Sequence, residues 1–173
     1  MSSRYNFDMT VKKYLSQIAG KTAALFGMSC YLGAKLTGAE EKVCRHARRI
    51  GYNVGMAFQI IDDILDYRDD AKTIKKPTLE DMKQGVYTLP LIIAMNSGDR
   101  EAFIPYLSEQ EDMSERSVIN VLELVHHFKG IEQAENLADK YTNKALSCIN
   151  KLPDSDAKDQ LLRLTVDLLT RID

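Results

Sequence analysis

The chain has 173 residues, 45% of them hydrophobic, which suits one domain around a single core. Its 23 basic and 25 acidic residues leave a formal net charge of -2, which excludes whole-protein attraction to nucleic acid or to an anionic membrane. Three cysteines, Cys30, Cys44 and Cys148, are odd in number and lack the spacings of zinc or redox motifs, so they read as reduced thiols packed among helices.

Apolar residues recur at helical spacing almost throughout, and no segment alternates with period two, which predicts an all-α chain without internal repeat or linker. Tyr14, Leu15, Ile18, Leu25, Phe26 and Leu32 mark one or two helices over residues 9–36, closed by Thr37-Gly38. A long helix is predicted over 39–69. Residues 70–85 hold Lys72, Lys75, Lys76 and Pro77 without apolar periodicity and read as a loop with one short turn at 79–82. A buried helix is predicted over 85–95, stopped by Asn96-Ser97-Gly98. Amphipathic helices follow over 100–107, 114–128, 131–152 and 155–171, separated by Gly130 and Pro153. Ser114 marks one helix entry, and Asp154 or Ser155 caps the last helix. The longest apolar run, Leu89 to Met95, is too short to span a bilayer, and the first residues hold no basic-then-apolar signal. No transmembrane segment and a cytoplasmic location are therefore expected.

Within the long helix, Gln59, Asp62, Asp63 and Asp66 fall at i, i+3, i+4 and i+7, so they gather toward one face. Ile60, Ile61, Ile64 and Leu65 cover the remaining faces. A concentrated row of carboxylates beside apolar surface needs a cation, and hard oxygen-seeking ions, above all magnesium, are the natural counter-ions. Exposed helices also carry carboxylates at this spacing without any metal. Gly51 and Gly55 lie at i-8 and i-4 of Gln59, and each glycine inside a helix costs about 1 kcal/mol relative to alanine. Something is therefore expected to approach that backbone closely.

Lys21-Thr22 interrupts an apolar helical segment and reads either as a lysine snorkelling to the surface or as an ammonium and hydroxyl for phosphate. Lys75-Lys76-Pro77 is either a solvated loop or positive charge placed beside the acid row. His126 and His127 are adjacent, so they point in different directions and make a poor metal pair. His46 sits with Arg45, Arg48 and Arg49 on a basic face read as solvated, and Tyr5, Tyr14, Tyr31 and Tyr52 read as packing residues. Asp69-Asp70 lacks the glycine of an EF-hand loop.

As an ordered set, Phe58-Gln59-x-x-Asp62-Asp63-x-x-Asp66, Lys76-Pro77, Asp81, Gly85 and Thr88-Leu89-Pro90-Leu91-Ile92 resemble the second aspartate-rich region of trans-type polyprenyl diphosphate synthases. Upstream, Tyr14-Leu15-x-x-Ile18-x-x-Lys21-Thr22-Ala23 resembles that family's Lys-Thr helix, and the likeness covers essentially the whole chain. It implies an orthogonal helical bundle of the isoprenoid synthase type and a magnesium-dependent condensation of isopentenyl diphosphate with an allylic diphosphate. By that resemblance Asp62, Asp63 and Asp66 match metal ligands, Lys21 and Lys76 match diphosphate-binding lysines, and Thr22 and Gln59 match polar groups near the reacting carbons. Lys75 stands where the family has glycine, and it is a further candidate for the diphosphate. Val86 stands where the family has a lysine. The family's first aspartate-rich motif lies upstream of the Lys-Thr helix, and this chain has no second Asp-Asp-x-x-Asp. The expectation is thus a carboxyl-terminal portion, incomplete at its N-terminus and inactive by itself, that forms a homodimer or joins a partner subunit or the missing half. Two other readings are a non-catalytic helical subunit that acts through protein–protein association and a terpene cyclase of similar fold.

Overall fold

A computed structural model of the chain describes residues 4–68 and 80–169, and every regular element among them is helical. They are α1 (Val11–Ile18), a π-turn (Ala19–Ala23), α2 (Ala24–Leu36), α3 (Glu41–Arg68), α4 (Glu80–Lys83), α5 (Leu89–Ser97), α6 (Ile104–Leu107), α7 (Glu115–His127), α8 (Gly130–Ile149) and α9 (Asp156–Leu169). Short 3-10 turns at Arg100–Ala102 and Gln110–Asp112 flank α6. Lys75 and Lys76 lie outside the described residues.

Helix ends follow from the punctuating residues. Gly38 takes φ of +79° just beyond α2, the left-handed conformation that terminates helices and that glycine adopts without a Cβ penalty. The Ser114 hydroxyl accepts from the Ser117 backbone N–H at 3.1 Å to cap α7, and Ser155 rather than Asp154 caps α9 by accepting from the Lys158 N–H at 3.2 Å. Asp154 instead pairs with the Lys158 ammonium at 2.8 Å.

Two predicted elements differ. The helix expected over 85–95 begins at Leu89, because Gly85 takes φ of +75° and Thr88 is extended before Pro90 in the first turn. The single helix expected over 100–107 is a 3-10 turn, whose Glu101 N–H donates to Asp99 at 3.0 Å, followed by one turn of α-helix with Pro105 near its start. The segment 9–36 is broken by the π-turn, which widens the backbone spiral at Lys21 and Thr22.

The chain divides into two compact units: Met1–Tyr14 with Asp62–Glu135, and Leu15–Ile61 with Asn136–Asp173. In the first, α5 is the central element, since Leu89 to Met95 are all buried. Each such leucine or isoleucine contributes roughly 1.5–3 kcal/mol by leaving water. Gly130 lets α8 start against α5, as a Cβ there would lie 2.3 Å from the Pro90 carbonyl oxygen. In the second unit, Ile50 and Val54 of α3 pack with Ala145 and Ile149 of α8. Among the described residues, no helix is long and apolar enough to cross a membrane.

Candidate functional site

Helix α3 is unbroken from Glu41 to Arg68, so the spacing of Gln59, Asp62, Asp63 and Asp66 holds as helical periodicity. The three aspartates are not equivalent. Asp63 is only 4% exposed, and its Oδ2 accepts from the Tyr14 hydroxyl and, at 3.3 Å, from the Leu89 backbone N–H. A buried carboxylate lacking such donors would cost several kcal/mol. Burial, with the Asp63 charge as the next cause, pushes the Tyr14 phenol far above its ordinary value, so it persists as a neutral donor.

Pinning Asp63 fixes the roll of α3. At about 100° per residue, Asp62 and Asp66 lie about 40° apart on the helix wheel, and Asp63 lies about 100° from Asp62. Asp62 is accordingly exposed and Asp66 half-buried. One turn beyond Asp63, the buried Tyr67 phenol is raised by desolvation, an effect that the Thr88 hydrogen bond at 3.4 Å opposes. The Tyr87 hydroxyl is buried without a hydrogen-bond partner among the described residues, and burial pushes it up to about 12.

In the other unit, the π-turn carries Lys21 and Thr22. The Thr22 hydroxyl donates to Gln59 Oε1 at 2.9 Å, while Lys21 is exposed. Single π-turns within α-helices recur at functional positions. The close approach expected at Gly51 and Gly55 comes from the neighbouring helical segment. A Cβ on Gly51 would lie 2.4 Å from the Phe26 carbonyl oxygen, and one on Gly55 would lie 2.8 Å from Ala23 Cα. The glycines thus seat the π-turn and the start of α2 against α3, with the Phe26 and Phe58 rings 5.6 Å apart.

Two sequence readings need correction. Tyr14 does pack, but its hydroxyl holds the acidic row in place, a role 49 residues away from Asp63 that no local pattern signals. His46 is not a solvated member of a basic face; it is half-buried, and its Nε2 donates to the Cys148 carbonyl at 2.8 Å.

The residues present fit a hard divalent ion. Asp62 and Asp66 offer carboxylate oxygens on one face of α3, and among the described residues no three acidic, imidazole or thiol groups converge to hold a metal by themselves. Magnesium is commonly held by one or two carboxylates together with phosphate oxygens and water.

The polyprenyl synthetase family model matches residues 1–125. The chain belongs to the polyprenyl synthetase family. It is 34% identical over 96% of its length to the heptaprenyl diphosphate synthase component 2 of Geobacillus stearothermophilus, covering 51% of that protein. It is 36% identical over 98% of its length to solanesyl diphosphate synthase 3 of Arabidopsis thaliana, covering 39%. Its fold superimposes on the crystal structure of geranylgeranyl pyrophosphate synthase from Lactobacillus brevis with a TM-score of 0.90 at 43% identity, over 97% of this chain and 52% of that one. The all-α isoprenoid synthase fold expected from the polyprenyl synthetase resemblance therefore holds. The chain spans about half the length or less of the curated relatives named here.

Proposed function

We propose that this chain carries the second metal- and diphosphate-binding wall of a prenyl diphosphate synthase that condenses isopentenyl diphosphate with an allylic diphosphate. The observation that carries the reading is the locked Asp63, which leaves Asp62 and Asp66 together on one face of α3 while Tyr14 and Leu89 hold the carboxylate between them. In this reaction the allylic C–O bond breaks, diphosphate departs with the electron pair, the alkene carbon adds to the allylic cation, and a proton is lost. Magnesium bound by Asp62 and Asp66 would neutralise the departing diphosphate. Asp63 serves by positioning those two rather than by coordinating. The Lys21 ammonium adds positive charge toward diphosphate oxygens, and Lys75 and Lys76 remain proposed for the same task. Gln59 Oε1, oriented by the Thr22 donor, turns a fixed partial negative charge toward the developing cation, the kind of preorganised dipole that lowers such barriers.

The relative named component 2 is one component of its synthase, and we propose that this chain likewise works with a second polypeptide surface. Catalysis needs positioned groups on both sides of the diphosphate, and this chain holds one Asp-Asp-x-x-Asp. The surface is one that bears the family's first aspartate-rich motif, whether it stands on a partner subunit or on the other half of the same synthase.

Calorimetric titration of the chain with inorganic diphosphate tests the proposal. Magnesium is expected to add a binding component at the acidic face, and Asp62→Asn with Asp66→Asn should weaken that component at least tenfold. Titrations that are the same with and without magnesium, or a magnesium-dependent component indifferent to both substitutions, would overturn the assignment. Labelled isopentenyl diphosphate with an allylic partner should give no elongation by the chain alone, and product only once a polypeptide bearing the first aspartate-rich motif is added.

A further inference from the structure

A groove in the second unit has no part in that reaction. On α3, Arg45, Arg48 and Arg49 fall at i, i+3 and i+4 along one helix face, and on α8 Lys140 and Lys144 fall at i and i+4, with Lys151 in the turn just beyond that helix. The two faces line an open cavity of about 1070 Å³ whose lining includes no carboxylate. Its floor is firm. The Ile50, Val54, Ala145 and Ile149 cluster lies in the same pair of helices, and the bond from His46 to the Cys148 carbonyl ties α3 to α8.

This arrangement opposes folding as it stands. Like charges one turn apart on a helix repel, as Arg45 with Arg49 and Lys140 with Lys144 must. Bringing two such faces together adds further repulsion. Internal relief is slight: Arg45 reaches Glu41 at 3.8 Å, but that carboxylate is shared with Lys35 at 3.2 Å. Lys144 lies over the Tyr141 ring at 4.9 Å. Arg48, Arg49, Lys140 and Lys151 make no ion pair among the described residues. In a chain of net charge -2 the concentration is local, and it offers an anion from solution several of these unpaired cations at once.

We propose that the α3–α8 groove binds an oligophosphate, a small molecule with two or more linked phosphate groups. Guanidinium forks match phosphate oxygens bidentately and ammonium groups add point charge. The concave form favours a discrete source of the phosphate: a bilayer presents a plane, which a recess holds away from its cations, whereas a small molecule can enter an open groove. Tyr52, at the groove, leaves 36% of its surface exposed and offers a ring beside the phosphate-binding cations.

The test is calorimetry with the full chain in EDTA, which removes the magnesium-dependent route through Asp62 and Asp66. Tripolyphosphate should bind at least tenfold more tightly than inorganic phosphate, with affinity falling steeply as salt rises. Arg48→Gln, Arg49→Gln and Lys144→Gln together should cost at least tenfold in affinity without lowering the melting temperature and with the magnesium-dependent diphosphate binding unchanged. Should that triple variant fold poorly, Lys140→Gln with Lys151→Gln is expected to give the same loss from the opposite wall of the groove. Equal affinity for phosphate and tripolyphosphate, or neutralised variants that bind as the parent does, would overturn the proposal. So would capture by phosphatidylglycerol vesicles without measurable tripolyphosphate binding, since that would mark the groove as a membrane face.

Discussion

Removing the Tyr14 hydroxyl by Tyr14→Phe leaves the buried Asp63 carboxylate short of a donor, and the expected loss of stability is roughly 2 kcal/mol, measured by urea unfolding. Asp62→Asn should behave in the opposite way, changing stability by less than about 0.5 kcal/mol while weakening magnesium-dependent diphosphate binding, because Asp62 is exposed. The tyrosines also set an alkaline limit. Burial disfavours the ionised phenol, so Tyr14, Tyr67 and Tyr87 all hold their protons above the unfolded value of about 10. Between the two values the unfolded chain has released protons that the folded chain keeps. The tyrosine contribution is therefore fully present below pH about 10 and is lost as pH rises toward the folded values, the lowest being that of Tyr87 at about 12. Urea midpoints taken above pH 10 should fall, and Tyr87→Phe, which deletes a hydroxyl unpartnered among the described residues, should lessen that fall without lowering stability at pH 7.

At the scale of helices, the joint between α2 and α3 depends on glycine where the backbones meet. Gly51→Ala would force a Cβ to 2.4 Å from the Phe26 carbonyl oxygen, and backbone cannot yield as a flexible side chain does. A loss of about 2–4 kcal/mol is expected from such overpacking. Gly33→Ala, on the α2 side of the pair and with no atom within 4 Å of the new Cβ, should instead stabilise by about 0.5–1 kcal/mol through helix propensity. A pair of chemical denaturation curves separates the two, and equal effects would show that close packing is not the reason for Gly51. The same joint holds the π-turn, so Gly51→Ala should also disturb the Thr22–Gln59 hydrogen bond.

At the scale of the whole molecule, α2 is apolar on two sides. One side meets α3, and on the other Leu25, Met28, Leu32 and Leu36 stay exposed, Leu36 at 86% and Leu25 at 66%. A helix apolar all round belongs in an interior, and a contiguous exposed stripe drives association. Sedimentation velocity should therefore find concentration-dependent oligomers, and replacing Leu25, Leu32 and Leu36 with glutamine should shift the population toward monomer. A strictly monomeric parent chain would contradict this.

The helical class, the breaks at Gly38, Ser114 and Ser155 and the acidic row on α3 were legible in the residues alone, because each depends on spacing or chemistry within a few positions along one backbone. The family motifs were legible for the same reason. The unequal burial of Asp62 and Asp63 was not: Tyr14 and Leu89, which hold Asp63, stand 49 and 26 residues from it. Nor was the partner of Gly51, the pairing of Thr22 with Gln59 across 37 residues, or the basic groove, whose two walls are tied by a bond spanning 102 residues. Periodicity along a helix determines which side chains share a face, and it says nothing of what that face meets. Only packing between distant segments decides which carboxylate is buried and which faces solvent.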